Sequence, residues 1–297
     1  MKLTFEEFKE YIREELSRFY QEQADVQVRK VMKNNGLCLT GISLSSDKSN
    51  LSPTVYLESY YYRYCRGESL EDMFSDIVMT FEKNALSQGF DVGEFLDFEK
   101  AGKRIFYKLV SFEKNRELLK EVPHRRVMDL AMLYAYSVSS PEMGNGSVLI
   151  RNEHMKRWES SEEELHRIAA ENTPRLFEAK LCSMLEMLED CGKNLDLGLF
   201  QDNLYVLSNV SGINGAACML YPHILEMIGD KIQASFYLLP SSVHELIIVS
   251  GENDIYADRL LEMVREVNGC VVSLEEILSD NIYFYSREDK ELNLITA

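Results

Sequence analysis

Residues Asn203–Val249 read NLYVLSNVSGINGAACMLYPHILEMIGDKIQASFYLLPSSVHELIIV. The stretch begins with an apolar run typical of a buried strand, Leu204–Leu207, and continues through a glycine-containing segment, Gly212–Gly215. The amphipathic residues that follow predict a helix over about 214–228. Two further apolar runs come next, separated by a turn-forming Pro-Ser-Ser sequence.

The same reading extends to the end of the chain and predicts two helices, 214–228 and 254–267, among four strands, 204–208, 234–239, 243–249 and 282–286. This order is β-α-β-β-α-β, the split arrangement of a ferredoxin-like sheet. Right-handed crossovers would place both helices on one face. We therefore predict an α+β protein, with a mixed helical and sheet N-terminal part over 1–192 and a ferredoxin-like C-terminal domain over 193–297.

The N-terminal part is predicted to hold a helix, a hairpin, an αα-hairpin, a small sheet and further helices. Thr4 and Glu7 have the spacing of a capping box, which predicts a helix start. The Asn-Asn-Gly sequence at 34–36 separates two apolar runs and suits the positive φ angles of a hairpin turn.

Further along, Ser52-Pro53 predicts the start of a tyrosine-rich helix that ends near Gly67. Strands are predicted over 105–111 and, from clean alternation, over 126–139. A later helix is predicted from three leucines and a terminal glycine, namely Leu181, Leu185, Leu188 and Gly192.

Composition limits the classes of function. The 297 residues carry a net charge of −17, which repels a phosphate backbone and disfavours nucleic-acid binding. No run approaches the roughly 18 apolar residues of a membrane helix, and the acidic, amphipathic N-terminus differs from a signal peptide. We expect a cytoplasmic protein without membrane association. The six cysteines are scattered without a Cys-x-x-Cys pair, and we expect free thiols.

Candidate chemistry gathers at the turn Pro240–Glu245. Neighbouring residues on a strand point to opposite faces, so His244 and Glu245 cannot bind one metal ion, and no metal or cofactor is predicted. Ser241 and Ser242 could act as nucleophiles with His244 as base, although the residues around them differ from Gly-x-Ser-x-Gly. Turn chemistry, in which the hydroxyl groups bind main-chain groups, is favoured instead.

The second wall of a candidate site is the loop that follows the first strand. There Gly212-Ile213-Asn214-Gly215 precedes a predicted helix, where unpaired N–H groups can hold an anion. Whether this loop meets the Pro240–Glu245 turn depends on strand directions. The candidate ligand or partner site is therefore Asn209, Asn214, Ser241, Ser242, His244 and Glu245, with no catalytic residue assigned.

Three functions remain open at this point. The favoured one is a non-catalytic cytosolic binding or regulatory protein, and a protein partner is favoured over nucleic acid. The second is a hydrolase or small-ligand enzyme with its site at Pro240–Glu245. The third is an acidic mimic of nucleic acid, which requires regularly spaced carboxylates on one face.

Several short stretches run from one end of the chain to the other: Phe5–Phe8, Pro53–Leu57, Gly67–Asp72, Asn115–Leu119, Asn214–Ala217, Leu239–Glu245 and Leu278–Tyr283. Together they resemble domain of unknown function family 5688, a family of uncharacterised proteins from Clostridia-type gut bacteria. The Pro-Ser-Ser-Val-His-Glu run is the most specific of these. The resemblance implies no activity, cofactor or catalytic residue.

Overall fold

The computed structural model describes residues 2–45, 54–85, 92–140, 144–184, 204–251 and 254–296. The chain forms two compact units. The first comprises Met1–Lys33, Leu37–Phe95 and Val138–Ser147, and the second Asn34–Gly36, Leu96–Ser137 and Val148–Ala297. The boundary predicted between residues 192 and 193 lies outside the described residues and stays a prediction.

The described elements make the protein α+β, as predicted. The helices are α1 (Phe5–Tyr20), α2 (Leu57–Cys65), α3 (Leu70–Ala85), α4 (Val92–Leu96), α5 (Phe98–Gly102), α6 (Arg116–Leu119), α7 (Asn152–Trp158), α8 (Glu162–Leu176), α9 (Ile224–Ile232) and α10 (Asp254–Cys270). The strands are β1 (Asp25–Met32), β2 (Cys38–Ser45), β3 (Val55–Tyr56), β4 (Ile105–Ser111), β5 (His124–Val127), β6 (Leu130–Ser140), β7 (Gly144–Leu149), β8 (Ala179–Ser183), β9 (Leu204–Asn209), β10 (Phe236–Ser242), β11 (Glu245–Ser250), β12 (Ile282–Ser286) and β13 (Glu291–Ile295). Within these residues no helix is both long and apolar enough to cross a membrane.

The helices and strands of the first unit follow from short sequence patterns. The predicted capping box is present, because the Glu7 N–H donates to Thr4 Oγ1 (3.3 Å) and the Thr4 N–H donates to Glu7 Oε2 (2.8 Å). The predicted hairpin is also present as antiparallel β1 and β2, and β3 pairs with β2. The apolar faces of α1, α2 and α3 pack with β2 around a buried cluster: Phe8, Ile12, Leu16, Ile42, Leu57, Met73, Ile77 and Phe81.

Two helix predictions are wrong where β-pairing competes with helical periodicity. Val55 pairs with Ile42 in β2, so the tyrosine-rich helix begins at Leu57; the start predicted at Ser52-Pro53 lies outside the described residues. Leu181 belongs to strand β8 and pairs with Leu207 of β9. The rest of that predicted helix, 185–192, lies outside the described residues.

The strand predicted over 126–139 is two strands. Met128 adopts a left-handed φ of 55°, and the chain turns there from β5 into β6. The predicted strand over 105–111 is confirmed as β4. The sheet runs β4-β6-β5, and β7 also pairs with β6.

The C-terminal sheet differs from the predicted ferredoxin-like sheet. Its order is β13-β12-β10-β11-β9-β8, so β8 and β13 extend the four predicted strands to six. The fourth predicted strand, β12, pairs with the second, β10, whereas a ferredoxin-like sheet pairs the fourth with the first. All the neighbouring strands are antiparallel, and the predicted strand at 282–286 is confirmed.

The two crossover helices lie on opposite faces of this sheet, which corrects the prediction of one shared face. Gly229 of α9 packs against Tyr285, the register partner of Phe236. The next residue, Tyr237, faces the other way and packs with Leu260 of α10. In the observed order both crossovers, from β9 to β10 and from β11 to β12, move along the sheet in the same direction. The strands they leave, β9 and β11, are antiparallel. Two crossovers of the same handedness therefore place their helices on opposite faces of the sheet.

The helix predicted over 214–228 is also two elements. A 3-10 helix covers Gly215–Leu220, and α9 begins at Ile224. Between them Tyr221 is extended (ψ 141°), because a residue before proline is disfavoured in helical geometry and Pro222 follows it. The break leaves the 3-10 helix, and the loop before it, in position beside the β10–β11 turn.

Candidate functional site

The β10–β11 hairpin carries most of the predicted site. The sequence predicts that the strand ends before Pro240, but β10 continues to Ser242. Pro240 lies opposite Leu246, and the register is irregular between Pro240 and Ser242. Pairing of β10 with β12 ends at Leu238, so Pro240 has an unpaired side where a missing N–H costs no ladder bond. The turn itself is therefore Val243–His244.

Side chains of this turn bind within the turn. Ser242 Oγ accepts from the His244 N–H (3.0 Å), and Ser241 Oγ donates to Glu245 Oε1 (3.1 Å). The Val243 N–H donates to the Glu276 carbonyl oxygen (2.8 Å). Ser242 thus performs the turn chemistry that the sequence favoured, whereas Ser241 binds a side chain of the same turn.

The loop after β9 closes on itself. Asn209 is buried; its Nδ2 donates to the Ile213 carbonyl oxygen and its Oδ1 accepts from Ser211 Oγ, each at 2.8 Å. At Gly215 a Cβ atom would collide with Ser208 Oγ and with the His244 carbonyl oxygen. Glycine at 215 is therefore needed for close approach to the turn.

The loop and the turn meet, because β9 and β11 are antiparallel neighbours with Leu207 opposite Leu246. The end of β9 consequently lies beside the start of β11. The Asn214 N–H donates to His244 Nδ1 (3.1 Å), and Ser208 Oγ donates to the His244 carbonyl oxygen (2.8 Å).

Of the two nitrogens in the His244 ring, Nδ1 accepts a hydrogen bond within the protein and Nε2 is available to a ligand. A nitrogen that accepts a hydrogen bond carries no proton, so the Asn214 contact assigns the ring proton to Nε2. Nε2 lies 3.7 Å from Glu276 Oε1, beyond direct hydrogen-bond distance, and about a third of the His244 side chain (34%) is exposed. A ligand atom placed over this pair could contact both groups.

A cavity of about 270 Å³ opens beside this pair. Its volume is slightly below the roughly 300–1,000 Å³ of pockets for drug-sized molecules, so it suits a smaller ligand. All its lining residues belong to the second unit. They are Asn34, Lys108, Leu109, Val110, Asn214, Val243, His244, Glu275 and Glu276, and this space is called the His244 cavity below.

Asn34 also lines the cavity, and one of its polar atoms is unpaired. Its Nδ2 donates to the Glu275 carbonyl oxygen (2.6 Å). Its Oδ1 is buried and has no hydrogen-bond partner among the described residues. Such an acceptor is costly to bury unless water or a ligand binds it.

Sequence reasoning missed Asn34, Lys108, Glu275 and Glu276. Asn34 was recognised only as part of a hairpin turn, and Lys108 only as part of a strand. Nothing in the local sequence around them marks a site, since they reach the cavity from segments that lie far apart in the chain.

A thiol lies behind the loop and belongs to its scaffold. Cys218 is buried and donates to the Ser208 carbonyl oxygen (3.2 Å). Burial raises the pKa of its thiol to about 11, which keeps it protonated at neutral pH. The described cysteines are all free: Cys38, Cys65, Cys182, Cys218 and Cys270. In the same part of the chain, no group of three or more His, Cys, Asp or Glu residues is arranged to hold a metal ion.

Comparison with known families gives one result. Residues 5–287 match the model of a family of unknown function, DUF5688. The chain belongs to this family. Comparison of this DUF5688 protein with curated proteins and with solved structures gave no match. Family membership thus confirms the resemblance, and the function has to be inferred from the geometry of the His244 cavity.

Proposed function

We propose that this protein is a non-catalytic cytoplasmic binding protein that holds a small molecule in the His244 cavity. The observation that carries the proposal is the convergence there of an available His244 Nε2, the Glu276 carboxylate and the polar side chain of Asn34 around about 270 Å³ of space. A few convergent polar groups on a partly apolar wall are typical of ligand pockets.

The hydrolase alternative has less support. A serine nucleophile needs its hydroxyl within hydrogen-bond reach of a base. Ser241 donates to Glu245 instead, and Ser242 binds the main chain of His244. Among the described residues no serine hydroxyl binds the His244 ring.

The nucleic-acid mimic also has less support. Mimicry needs rows of uncompensated carboxylates, whereas four of the five acids of α1 are paired with basic residues on the same helix: Lys9 with Glu6, Arg13 with Glu10, and Arg18 with Glu14 and Glu15. The net charge of −17 still disfavours nucleic acid as a partner, and any macromolecular partner is proposed to be protein.

The test is a screen of fragments of about ten non-hydrogen atoms against the ¹⁵N-labelled full chain. We expect a subset to shift the amide signals of Asn214 and His244, and to remain chemically unchanged after prolonged incubation. No fragment shifting these signals would overturn the binding proposal, and conversion of a bound fragment would favour the enzyme alternative.

His244→Asn separates binding from folding. An asparagine oxygen can replace Nδ1 as acceptor for the Asn214 N–H, but nothing replaces Nε2. We expect fragment binding to fall with little change in melting temperature. The matched control is His223→Asn, since His223 is exposed and already adopts a left-handed φ of 62° that asparagine tolerates. This control should bind fragments normally.

A further inference from the structure

Strand β4 presents a free edge to the His244 cavity. On its other side β4 pairs with β6, and the bonds that flank the pairing fix which residues face β6: the Ser137 N–H donates to the Arg104 carbonyl oxygen and the Phe112 N–H donates to the Asp129 carbonyl oxygen. Main-chain groups alternate along a strand. Even-numbered residues of β4 therefore bind β6, and odd-numbered residues point their N–H and C=O groups away from it.

Two outward groups further along this edge, one before and one after Leu109, have side-chain partners. The Tyr107 N–H donates to Thr173 Oγ1 (3.0 Å), and the Ser111 carbonyl oxygen accepts from Asn115 Nδ2 (2.8 Å). These two bonds confirm the direction of the odd-numbered residues. Of the odd-numbered residues of β4, Leu109 is the one that lines the His244 cavity, so it is the part of the edge that a ligand in the cavity meets.

Leu109 lines the cavity and is only 1% exposed. Its outward N–H and C=O groups have no hydrogen-bond partner among the described residues. Buried main-chain groups are nearly always paired, so an unpaired donor and acceptor at a cavity wall point to an occupant that binds both.

The chemistry that matches such a pair is an amide. An extended amide segment offers one C=O to the free N–H and one N–H to the free C=O, which is how a peptide adds to a sheet edge. Because Tyr107 and Ser111 are not among the residues that line the cavity, the complementary segment is a single residue long. A long added strand does not fit this edge.

Charge selects one end of such a ligand. The cavity lining carries two glutamates, Glu275 and Glu276, against one lysine, Lys108. An ammonium group is therefore favoured over a carboxylate, and Glu276 Oε1 beside His244 Nε2 is the natural acceptor for it. Val110 and Val243 also line the cavity, and their apolar character suits an aliphatic side chain.

We propose that the His244 cavity binds the free α-amino end of an amino-acid amide or a short peptide, with the amide on the Leu109 edge and the ammonium group on Glu276. This inference rests on the proposed binding function and names its ligand class. The two sources of this end, a free amino-acid amide and a peptide terminus, share the same chemistry.

Titration with four probes tests the proposal. L-leucinamide has the ammonium group and the amide, N-acetyl-leucinamide lacks the ammonium group, and 3-methylbutylamine lacks the amide. We expect leucinamide to bind, and each of the other two to bind at least about tenfold more weakly. The fourth probe, the tripeptide Leu-Gly-Gly, distinguishes the source: binding as tight as leucinamide indicates a peptide terminus, and weaker binding indicates a free amide.

The NMR signal of the Leu109 main-chain amide tests the edge contact in the unsubstituted protein. On binding leucinamide it should move downfield and exchange more slowly with solvent, as a newly bonded N–H does. The Tyr107 amide is the internal control, since it is already bonded to Thr173, and it should stay unchanged. A Leu109 signal that does not respond to bound leucinamide would overturn the edge contact.

Glu276→Gln tests the charge. It should weaken leucinamide at least about tenfold while leaving N-acetyl-leucinamide unaffected. Glu288→Gln, at an exposed position, is the matched control and should change neither. Equal binding of the charged and acetylated probes would overturn the ammonium contact. If leucinamide does not bind while other fragments bind the cavity, this inference alone is wrong. If no fragment binds, the proposed function is wrong as well.

Discussion

The two compact units are stabilised by different kinds of contact. The core of the first is an apolar cluster drawn from α1, β2, α2 and α3, which follow one another closely in the chain. The second has apolar clusters too, but side-chain amides and carboxylates also join segments that are far apart in sequence. There Asn35 and Asn115 bind each other, and Asp129 accepts hydrogen bonds from Ser279, Asn281 and Tyr283.

The difference teaches that apolar periodicity and polar long-range contacts carry different information. A buried apolar stripe is visible in its own segment, because the side chains recur at helical or strand intervals. A buried amide is satisfied by whichever distant group reaches it, and nothing in its own segment identifies that group. The following predictions test this contrast, beginning with the largest effect.

The largest loss is expected in the apolar core of the first unit. Phe8 is fully buried, so Phe8→Ala should lower the free energy of unfolding by about 3–5 kcal/mol, measured by urea denaturation. Phe19 is 50% exposed, and Phe19→Ala on the same helix should cost about 1 kcal/mol or less. Equal losses for the two variants would show that this core is not what stabilises the unit.

Asn35→Gly is the corresponding test in the second unit. The Asn35 side chain donates to the carbonyl oxygens of Leu274 (2.7 Å) and Ile277 (2.6 Å) and accepts from Asn115 (2.9 Å). Glycine retains the left-handed φ of 58°, so the variant removes these bonds without adding backbone strain.

The expected loss for Asn35→Gly is about 2–3 kcal/mol in the same denaturation assay, because buried partners are left unsatisfied. A loss below about 0.5 kcal/mol would mean that water replaces the amide, and the polar contacts would then not stabilise the second unit.

Tyr283→Phe should have a smaller effect. The Tyr283 hydroxyl donates to Asp129 Oδ1 (2.8 Å) in a fully buried setting, and a hydrogen bond to a charged group contributes about 1.5–3 kcal/mol. We expect a loss near the lower limit, about 1.5 kcal/mol, since Asp129 keeps its other two donors. The control is Tyr285→Phe, whose hydroxyl has no hydrogen bond to a described residue. A control as unstable as Tyr283→Phe would assign the loss to packing.

The last prediction concerns pH. Burial raises the pKa of Tyr134 to about 12 from an ordinary value near 10. The native state therefore keeps a proton that the unfolded chain loses, and the resulting stability is present below pH 10 and is lost as the pH rises towards 12.

We expect the melting temperature to fall between pH 10 and 12, and to fall less steeply in Tyr134→Phe. Burial also raises the pKa values of Tyr107 and Tyr283, so one substitution removes part of the slope. An identical slope in the variant would show that Tyr134 does not contribute to it.

The sequence predicted the elements whose signals are local. The capping box at Thr4, the hairpin turn at 34–36 and the strand at 282–286 all follow from short patterns and are confirmed. The failures arose where pairing with a distant strand overrode local periodicity, as at Val55 and Leu181.

The sheet order could not be derived for the same reason. Four apolar runs are compatible with several orders, and the choice of β10 as the neighbour of β12 depends on tertiary packing. At the candidate site, the sequence brought attention to Asn214 and His244, which bind each other. Glu276 and Leu109 were not predictable as parts of it, because their roles arise from neighbours far along the chain.

Asn35 has a consequence for the order of events during synthesis. Its Nδ2 donates to the Leu274 carbonyl oxygen, 239 positions further along the chain. At about 5–20 residues per second on the ribosome, this partner is made roughly 12–48 s after Asn35 itself. A hairpin forms within microseconds, so β1 and β2 can pair long before the amide at their turn finds its partner. Through that interval the Asn35 amide has to remain hydrated, and the second unit can be completed only when nearly the whole chain has been released.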